Sequence, residues 1–385
     1  MSLKNNWNPR SRQALENPVE TYDAMRAQCP VAHSDHLGYS VFRHQDVTDI
    51  LLNHTTYSSR VSRHVSVPNS MDPPEHTAYR EIIDRYFTPS IMASFEPVCR
   101  DISETLIDAL AKKSSVEIME DLAHPWALQM QCAFLGWPTE IQAWIKDWIN
   151  RKNEAALAAD PQQNARIAQE FEDEIQNLLN QIRQQPTQDI QNNLTARLLQ
   201  ETVDGQPISD KAVISILRNW TVGELQTIAA CIGIIFYFLA NRQDIQTALR
   251  TGAMDIDAAV DEMLRIEAPL LAGKRTPAET VTLGGYEMNP GDRITLSWQA
   301  ANRDPEVFPQ PDEFKIDRDP SLNLLYGLGI HVCPGAPLAR LELRTFVQVL
   351  LERTQAIEVC SEIRSQRATY PQGGYERLGI QIQFK

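Results

Sequence analysis

Apolar and polar residues follow two different patterns along the chain, one helical and one typical of strands. Over residues 89–265, apolar residues recur every three or four positions, as in ISETLIDALAKK and EDEIQNLLNQIRQQ, which predicts amphipathic helices. Outside this region, GYSVFRHQDV, ETVTLGGYEMNPGDRITLSW and RLGIQIQF combine strand-forming residues with Gly and Pro turns. We therefore expect a mainly α protein with a minor antiparallel β part.

Residues 209–241 predict one helix that is longer than the others. Ser209 is a suitable N-cap, and no proline follows it over about thirty positions. Residues 228–240 are apolar nearly all round, so this half of the helix should run through the core. The apolar run is about thirteen residues long, whereas a membrane span needs about twenty.

Composition and charge narrow the classes of protein that this pattern can build. The chain has 385 residues, of which 43% are hydrophobic, and no shift in composition marks an internal boundary. We therefore expect a single domain over residues 1–385. The formal net charge of −14 disfavours an extended surface for binding nucleic acid.

The 6 cysteines stand singly, without the close Cys or His spacing of a zinc or iron–sulfur site. Scattered thiols in a long chain indicate a reduced compartment. The N-terminal MSLKNNWNPRSRQ lacks the apolar run of a signal peptide or membrane anchor. These features predict a soluble, cytoplasmic protein that works without a membrane or a nucleic acid.

Residues 326–335, YGLGIHVCPG, combine three glycines with a cysteine just before a helical pattern. Gly327, Gly329 and Gly335 allow tight turns and the close approach of a flat partner. The free N–H groups and the dipole of a helix N-terminus favour a thiolate at Cys333. A thiolate placed there can hold an iron axially. The alternative is a buried structural cysteine in a turn.

This stretch resembles the signature Phe-Gly-x-Gly-x-His-x-Cys-x-Gly of the cytochromes P450, the haem-thiolate monooxygenases, in their soluble bacterial form. The chain departs from it with Tyr326, which keeps an aromatic ring near the sulfur. The resemblance implies the P450 fold with a long central helix over the haem, and Cys333 as the iron ligand of haem b. It also implies insertion of one oxygen atom from O2 into a small organic substrate, by hydroxylation or O-demethylation.

A second resemblance to the family is Glu262-Met-Leu-Arg265, which matches its Glu-x-x-Arg motif. The spacing puts both charges on one helix face. The resemblance implies that they pair internally with Arg318, in the loop FPQPDEFKIDR, and that their role is structural. An ordinary surface ion pair is the alternative.

The family also implies donors for the two haem propionates. His76 and Arg80, in MDPPEHTAYR, lie four residues apart and hence on one helix face. Arg275, in GKRTP, matches the family's arginine from the sheet, and His331 matches the histidine of the signature. Solvent-facing cations are the alternative for each of these residues.

The family delivers protons for oxygen activation through small-Gly-x-acid-Thr, and WTVGELQTI in this chain does not fit that motif cleanly. Counting back from the Glu-x-x-Arg motif without gaps puts Thr227 at the threonine, Gln226 at the acid and Gly223 at the small residue. Aligning residues 222–223 with the small-Gly pair instead puts Gln226 at the threonine and Leu225 at the acid.

The first register is preferred because it keeps a hydroxyl, that of Thr227, where oxygen is activated. Gln226, or Glu224 through water, would then replace the missing acid. The alternative for Thr227 is a hydrogen bond to a helix carbonyl, as mid-helix threonines often make.

A substrate pocket is expected above the haem, beside Gly223 on the central helix. Residues 57–69, Leu270, Leu271 and a turn at residues 373–375 should complete it. These positions are mostly apolar or small, which favours a small apolar or aromatic substrate. Residues 219–224 bear a weak likeness to bacterial members that O-demethylate methoxy-aromatic compounds.

No flavin or iron–sulfur motif is present, so the resemblance implies electrons from NAD(P)H through a ferredoxin or a ferredoxin reductase. Arg340, Arg344 and Arg85 are candidates for its docking face, unless they pair with Glu342 and other local acids. Two other functions stay open. One is a haem-thiolate peroxygenase or rearrangement enzyme, and the other is a non-catalytic helical binding protein in which Cys333 is incidental.

Overall fold

The computed structural model of the chain describes residues 7–34, 37–62, 65–113, 115–158, 160–184 and 193–385. Helices dominate it, as the periodicity predicts. In chain order they are α1 Arg12–Glu16, α2 Pro18–Gln28, α3 His44–Leu52, α4 Glu75–Asp84, α5 Pro89–Ala109, α6 His124–Leu135, α7 Ile141–Ala158, α8 Pro161–Arg183, α9 Leu194–Leu198, α10 Asp210–Asn241, α11 Gln243–Arg250, α12 Ile256–Ile266, α13 Trp298–Ala301 and α14 Ala336–Arg353.

The strands are short and lie mostly outside the long helical region. They are β1 Val31–Ser34, β2 Gly38–Val41, β3 Tyr57–Ser58, β4 Val116–Glu117, β5 Thr202–Val203, β6 Gln206–Pro207, β7 Ala272–Pro277, β8 Val281–Leu283, β9 Tyr286–Met288, β10 Ile294–Ser297, β11 Thr354–Val359, β12 Gln366–Arg367, β13 Tyr375–Arg377 and β14 Gly379–Phe384. The mainly α architecture with a minor β part is therefore confirmed.

The largest sheet has the strand order β1-β2-β10-β7-β3, and a smaller one has the order β11-β14-β4. Their pairs are antiparallel except β2 with β10, which run parallel with Ile294 opposite Tyr39. Parallel neighbours need a long crossover. The helical body between β2 and β10 provides it, so the N-terminal hairpin of β1 and β2 meets the later strands β7 and β10 in one sheet.

The central helix α10 begins as predicted, with the Ser209 hydroxyl accepting a hydrogen bond from the N–H of Ala212. By length and composition it is apolar enough to cross a membrane, but 67% of its most apolar stretch is buried inside the protein. It packs against α6, α8 and α12, while α14 packs against α5. These contacts make α10 a core helix, with α14 on another side of the same core.

The first helices lie outside the region where the periodicity is clear. GYSVFRHQDV reads as one strand, but β2 ends at Val41 and α3 begins at His44. The cause is distant in sequence, because the carboxylate of Asp304 accepts a hydrogen bond of 2.9 Å from the N–H of His44. A cap supplied from 260 residues away leaves no local signal.

Candidate active site

The loop that carries Cys333 folds back on itself just before α14. The N–H of Cys333 donates to the carbonyl of Tyr326 at 2.8 Å, which closes the loop. Gly327 has a φ of 73° and Gly329 a φ of 74°, so the tight turns predicted there are confirmed. Gly335 has a φ of −79°, so no left-handed backbone explains that glycine.

Gly329 is also required by its surroundings. A Cβ atom on Gly329 would lie 2.6 Å from the carbonyl oxygen of Leu51 at the end of α3. The loop therefore packs directly on α3, and any larger residue would push the cysteine loop away from it.

The thiol of Cys333 is exposed among the described residues and lies at the N-terminus of α14. The protein around it nevertheless raises the pKa of the thiol by desolvation. The N–H groups of Gly335 and Ala336 at the start of α14 oppose this shift, as the helix N-terminus predicts, but desolvation is larger. The sulfur is therefore accessible to a cofactor, and the helix N-terminus favours its thiolate form.

The structure brings the four predicted propionate donors together beside this loop. The rings of His76 and His331 are in edge contact, with centroids 4.3 Å apart. Burial, together with the charges of Arg275 and His76, lowers the pKa of His331 to about 3. The pKa of His76 is lowered by burial and by Arg80. The group is thus a cluster of mutually repelling bases.

This cluster fits an anionic group. The Nε2 atoms of both His76 and His331 are buried and have no hydrogen-bond partner in the part of the chain that the structure describes. Buried polar atoms in proteins are nearly always hydrogen-bonded. Two orphaned nitrogens beside Arg275 therefore match the carboxylates of a haem at this site.

Arg80 has an additional role that its spacing did not predict. Its guanidinium donates to the carbonyl of Val332 at 2.6 Å and to that of Ile330 at 3.2 Å. It also pairs with Asp84 on its own helix. Arg80 therefore ties α4 to the backbone on both sides of His331.

The predicted Glu-x-x-Arg network is confirmed. Arg265 donates to both carboxylate oxygens of Glu262, at 2.7 and 2.9 Å, and Arg318 donates to one of them at 3.0 Å. Glu262 is 5% exposed and Arg265 is 1% exposed. The three charges form a buried network and not a surface ion pair.

On the central helix, the side chain of Thr227 is half-buried. Its hydroxyl has no hydrogen-bond partner within the described residues, whereas Thr221 donates to the carbonyl of Leu217 at 2.7 Å. The alternative in which Thr227 is bonded to a helix carbonyl is therefore wrong. One turn earlier, a Cβ atom on Gly223 would have nothing within 4 Å, so the helix borders open space there.

Gln226 is directed at a neighbouring helix. Its amide donates to Oδ1 of Asn153 on α7 at 2.8 Å. Residues 226 and 227 are consecutive on a helix and point about 100° apart. The role of Gln226 as a replacement for the missing acid stays a prediction.

Glu224, the other candidate, belongs to a buried carboxyl pair that the sequence did not reveal. Its partner is Glu342 on α14, whose two carboxylate oxygens are fully buried without a hydrogen-bond partner among the described residues. Desolvation raises the pKa of Glu224 to about 8. Burial and the neighbouring Glu224 raise that of Glu342 well above its ordinary value.

Gln131 on α6 completes this group. With its amide nitrogen turned towards the pair, it donates to Oε1 of Glu224 at 2.9 Å. Two carboxyl groups in contact without a cation cannot both ionise, so the pair of Glu224 and Glu342 keeps at least one proton at neutral pH.

The arginines near Cys333 pair with other acids than Glu342. Arg340 donates to Asp261 and Arg344 to Asp257, each at 3.0 Å. Arg340 also lies over the ring of Tyr326, 4.6 Å from its centroid, and Arg85 lies 3.3 Å from Glu201. The local ion pairs are therefore present, but they are made with Asp261, Asp257 and Glu201 and not with Glu342.

The two leucines predicted for the substrate pocket point in different directions. Leu271 is buried in a cluster with Trp7, Tyr22 and Phe42, so its assignment to the pocket is wrong. Leu270 is 39% exposed and pairs with Gln372. Consecutive residues in an extended segment face opposite sides, and only Leu270 stays a candidate.

Two segments close over the central helix, as expected for pocket walls. A Cβ atom on Gly374 would lie 3.3 Å from the carbonyl oxygen of Ala230, so the turn at residues 373–375 packs on α10. Nearer the N-terminus of α10, Asn219 donates to the carbonyl of Val67 at 2.7 Å and accepts from the Ser66 hydroxyl at 2.7 Å. The segment around Ser66 is thereby fixed to the helix.

Known proteins share both the sequence and this geometry. Residues 157–362 match the family model described as Cytochrome P450. The chain is 30% identical over 379 residues to cytochrome P450 109 of Bacillus spizizenii, with 96% of this chain and 92% of that protein covered. It is 33% identical over 285 residues to the cytochrome P450 monooxygenase PikC of Streptomyces venezuelae, with 73% of this chain and 67% of that protein covered.

The fold matches that of cytochrome P450 CYP109Q5 from Chondromyces apiculatus with a TM-score of 0.87 and 27% identity, over 100% of this chain and 99% of that chain. CYP109E1 from Bacillus megaterium, solved in complex with testosterone, matches with a TM-score of 0.83 and 26% identity, over 95% and 99%. The position of Cys333 at the N-terminus of α14 and the orphaned histidines agree with this match. The chain belongs to the cytochrome P450 family and is a monooxygenase that uses haem b.

Proposed function

We propose that the enzyme inserts one oxygen atom from O2 into a small apolar or aromatic substrate, by hydroxylation or O-demethylation, in the cytoplasm. The observation that supports this most is the exposed Cys333 thiol at the N-terminus of α14, close in the chain to His331, where the buried Nε2 atoms of His331 and of His76 beside it have no partner among the described residues. Cys333 would bind the iron, and His76, His331 and Arg275 would bind the propionates. Bound haem supplies the redox chemistry that cleaves O2, which thiolate ligation favours.

The substrate side is the open space along the central helix. Gly223 leaves room there, and the Ser66 segment and the turn at Gly374 border the same helix on either side. Pockets of this kind, built mostly from apolar and small groups, take modest apolar ligands.

Proton delivery is assigned to Thr227 and Glu224. They lie three residues apart, so they are neighbours on the helix surface. Desolvation raises the pKa of Glu224 to about 8, so this group is mostly protonated at neutral pH and can donate where an ionised carboxylate cannot. The Thr227 hydroxyl is uncommitted within the described residues and can pass that proton towards the substrate side.

Replacing Thr227 by Val should keep haem and substrate binding but uncouple electron use from product formation. The side-chain volume is preserved while the hydroxyl that positions the proton is lost. Positioned proton donors contribute about 10²–10⁴ in rate, so we expect product formed per NAD(P)H to fall by about tenfold or more. The measurement compares NAD(P)H consumption with product and hydrogen peroxide.

The matched control is Thr221→Val, on the same helix, where the hydroxyl is already bonded to the Leu217 carbonyl. It should leave the ratio of product to NAD(P)H unchanged. Equal coupling in the Thr227 variant and the wild type would contradict the assignment of Thr227.

The proton that the pair of Glu224 and Glu342 keeps should show in the pH dependence of stability. In the unfolded chain Glu224 ionises near 4.5, and in the folded protein near 8. Between these values the unfolded state releases a proton that the folded state keeps, so stability falls as pH rises through this window. Glu224→Gln should flatten the decline in melting temperature between pH 5 and pH 8.

The matched variant is Glu201→Gln, which changes an acid that is already hydrogen-bonded to Tyr86 and close to Arg85. It should leave the decline in place. A Glu224→Gln variant with the pH profile of the wild type would show that the pair is ionised and that Glu224 holds no proton at neutral pH.

Electrons are proposed to come from NAD(P)H through a ferredoxin or ferredoxin reductase that docks beside α14. Arg340 and Arg344 keep 44% and 34% of their side chains exposed despite their ion pairs. The exposed Leu52 and Val332 add apolar surface next to the same loop. A mixed basic and apolar face of this kind suits a small acidic electron-transfer protein.

The proposed function is tested by screening apolar and methoxy-aromatic compounds for shifts of the haem absorption, then assaying turnover of those that bind. We expect ¹⁸O from ¹⁸O2 in the hydroxylated product, or formaldehyde from a methoxy compound, only when NAD(P)H and a ferredoxin system are present. Equal turnover with hydrogen peroxide alone would identify a peroxygenase instead. A purified chain that takes up no haem would contradict the proposal altogether.

A further inference from the structure

The inward face of α7 carries a charged residue, Lys152, among buried apolar ones. Ile145, Trp148 and Ala155 are buried on this face. Lys152 lies between the last two, and the four residues follow one another at spacings of three, four and three. Trp148 packs on Phe171 of α8 with ring centroids 4.7 Å apart, which fixes this face towards the interior. The helical period therefore predicts an apolar residue where the sequence has a lysine.

Among the described residues, no acid pairs with Lys152. Its side chain is half-buried, and within this part of the chain it makes no ion pair or hydrogen bond. Burial lowers the pKa of Lys152, and the charge of Arg218 on the central helix lowers it further.

Three acids on α7 and α8 already lie close to other cations. Asp147 on α7 and Glu170 on α8 both pair with Arg151, which lies next to Lys152 in the sequence. Glu172 lies 3.9 Å from Arg218. A partly buried ammonium group without a counter-ion is costly in the free protein, and an anionic ligand would remove that cost.

Lys152 lies where α7 crosses the central helix. The next residue, Asn153, accepts the hydrogen bond from Gln226, and Gln226 precedes Thr227 in the chain. Arg218 and Gln226 lie eight residues apart, two turns along one side of the central helix. The hydrogen bond between Asn153 and Gln226 thus places Lys152 close to the part of the central helix that carries Thr227.

We infer that Lys152 binds an anionic group of the substrate, a carboxylate, and that the apolar or aromatic part of the substrate extends from there along Gly223 and Thr227. This inference rests on the proposed function, since it concerns the substrate of the same site. It narrows the substrate class to acids with an apolar tail. Arg218 would strengthen the attraction through its charge.

The test is a binding titration of the haem-loaded enzyme with 3-phenylpropanoate, 4-phenylbutanoate, 5-phenylpentanoate and 6-phenylhexanoate, and with their methyl esters. Binding is measured by calorimetry and by the shift of haem absorption. We expect at least one acid to bind tenfold or more tightly than its ester. Lys152→Met should abolish that preference by weakening the acid and not the ester, and Lys152→Arg should retain most of it.

Arg151→Met is the matched control, because it removes an adjacent cation whose acids lie on the outer side of α7. It should leave the preference for acids unchanged. Lys152→Met should also fold well and melt at the same or a higher temperature, since it restores the apolar period of the helix.

Equal binding of acids and esters by the wild type, absence of binding by the whole series, or a preference that survives Lys152→Met would each overturn the inference. Failure of the proposed function would look different. In that case a compound would bind, with or without a preference for the acid, but no oxygen from O2 would enter it.

Discussion

Cys333→Ser should abolish both the spectrum of a thiolate-bound haem and the monooxygenase activity. The variant keeps the loop geometry, because the hydrogen bond that closes the loop uses the backbone N–H of residue 333 and the Tyr326 carbonyl. What it loses is the sulfur, and with it the electron density that favours O–O cleavage. We therefore expect a folded protein whose ferrous carbon monoxide complex lacks the red-shifted Soret band, and turnover at the level of free haem.

The matched control is Cys360→Ser, a buried cysteine that follows β11. The same loss of a sulfur there should leave the Soret band and the turnover intact, with at most a small loss of stability. If Cys333→Ser still gives the red-shifted band, another atom holds the iron, and the assignment of the site is wrong.

The parts of the site that the sequence predicted are those in which short spacing fixes the geometry. Glu262 and Arg265 had to share a helix face, and the glycines before Cys333 had to form turns, whatever the rest of the chain did. The pairing with Arg318 was predictable only through the family resemblance, since 56 residues separate it from Glu262.

The parts that were missed depend on contacts between distant segments. Glu342 meets Glu224 because α14 and α10 pack in the same core, and neither residue signals the other in the sequence. Gln226 was expected to replace an acid, but the position of Asn153 on α7 decides where its amide points. The start of α3 depends on Asp304 in the same way.

Lys152 is a different case. The sequence shows that it interrupts an apolar helical period, but only the structure shows which charged groups surround it. A lysine inside an apolar period is common where its ammonium can reach solvent or an acid. Here the neighbouring acids are bound to Arg151 and Arg218, so the charge is left for a ligand. Such departures from the local pattern are expected at functional sites.

Glu262→Leu should destabilise the protein by about 3–5 kcal/mol, the cost of breaking a buried ion pair by removing one partner. The carboxylate accepts from Arg265, from Arg318 and, at 3.0 Å, from the N–H of Lys315. Its loss leaves the guanidinium of Arg265, which is 1% exposed, without a counter-charge. The free energy of unfolding is measured by urea titration of the haem-loaded protein.

The same variant should also lose haem more readily, because the network extends to the cysteine loop. Arg265 donates to the backbone carbonyl of Asn302 at 2.7 Å, and the side chain of Asn302 accepts from the N–H of Leu324 at 2.8 Å. Leu324 begins the short helical turn that leads into the loop of Cys333. Haem transfer to apomyoglobin measures this effect, and we expect it to be faster in Glu262→Leu.

The matched control is Glu352→Leu, which removes the acid of an exposed pair with Arg100 whose side chains are 55% and 40% exposed. Exposed pairs contribute about 0–1 kcal/mol, so this variant should unfold and release haem like the wild type. A Glu262→Leu variant within 1 kcal/mol of Glu352→Leu would mean that Arg265 finds another partner or water. In that case the network would not be what holds the cysteine loop in place.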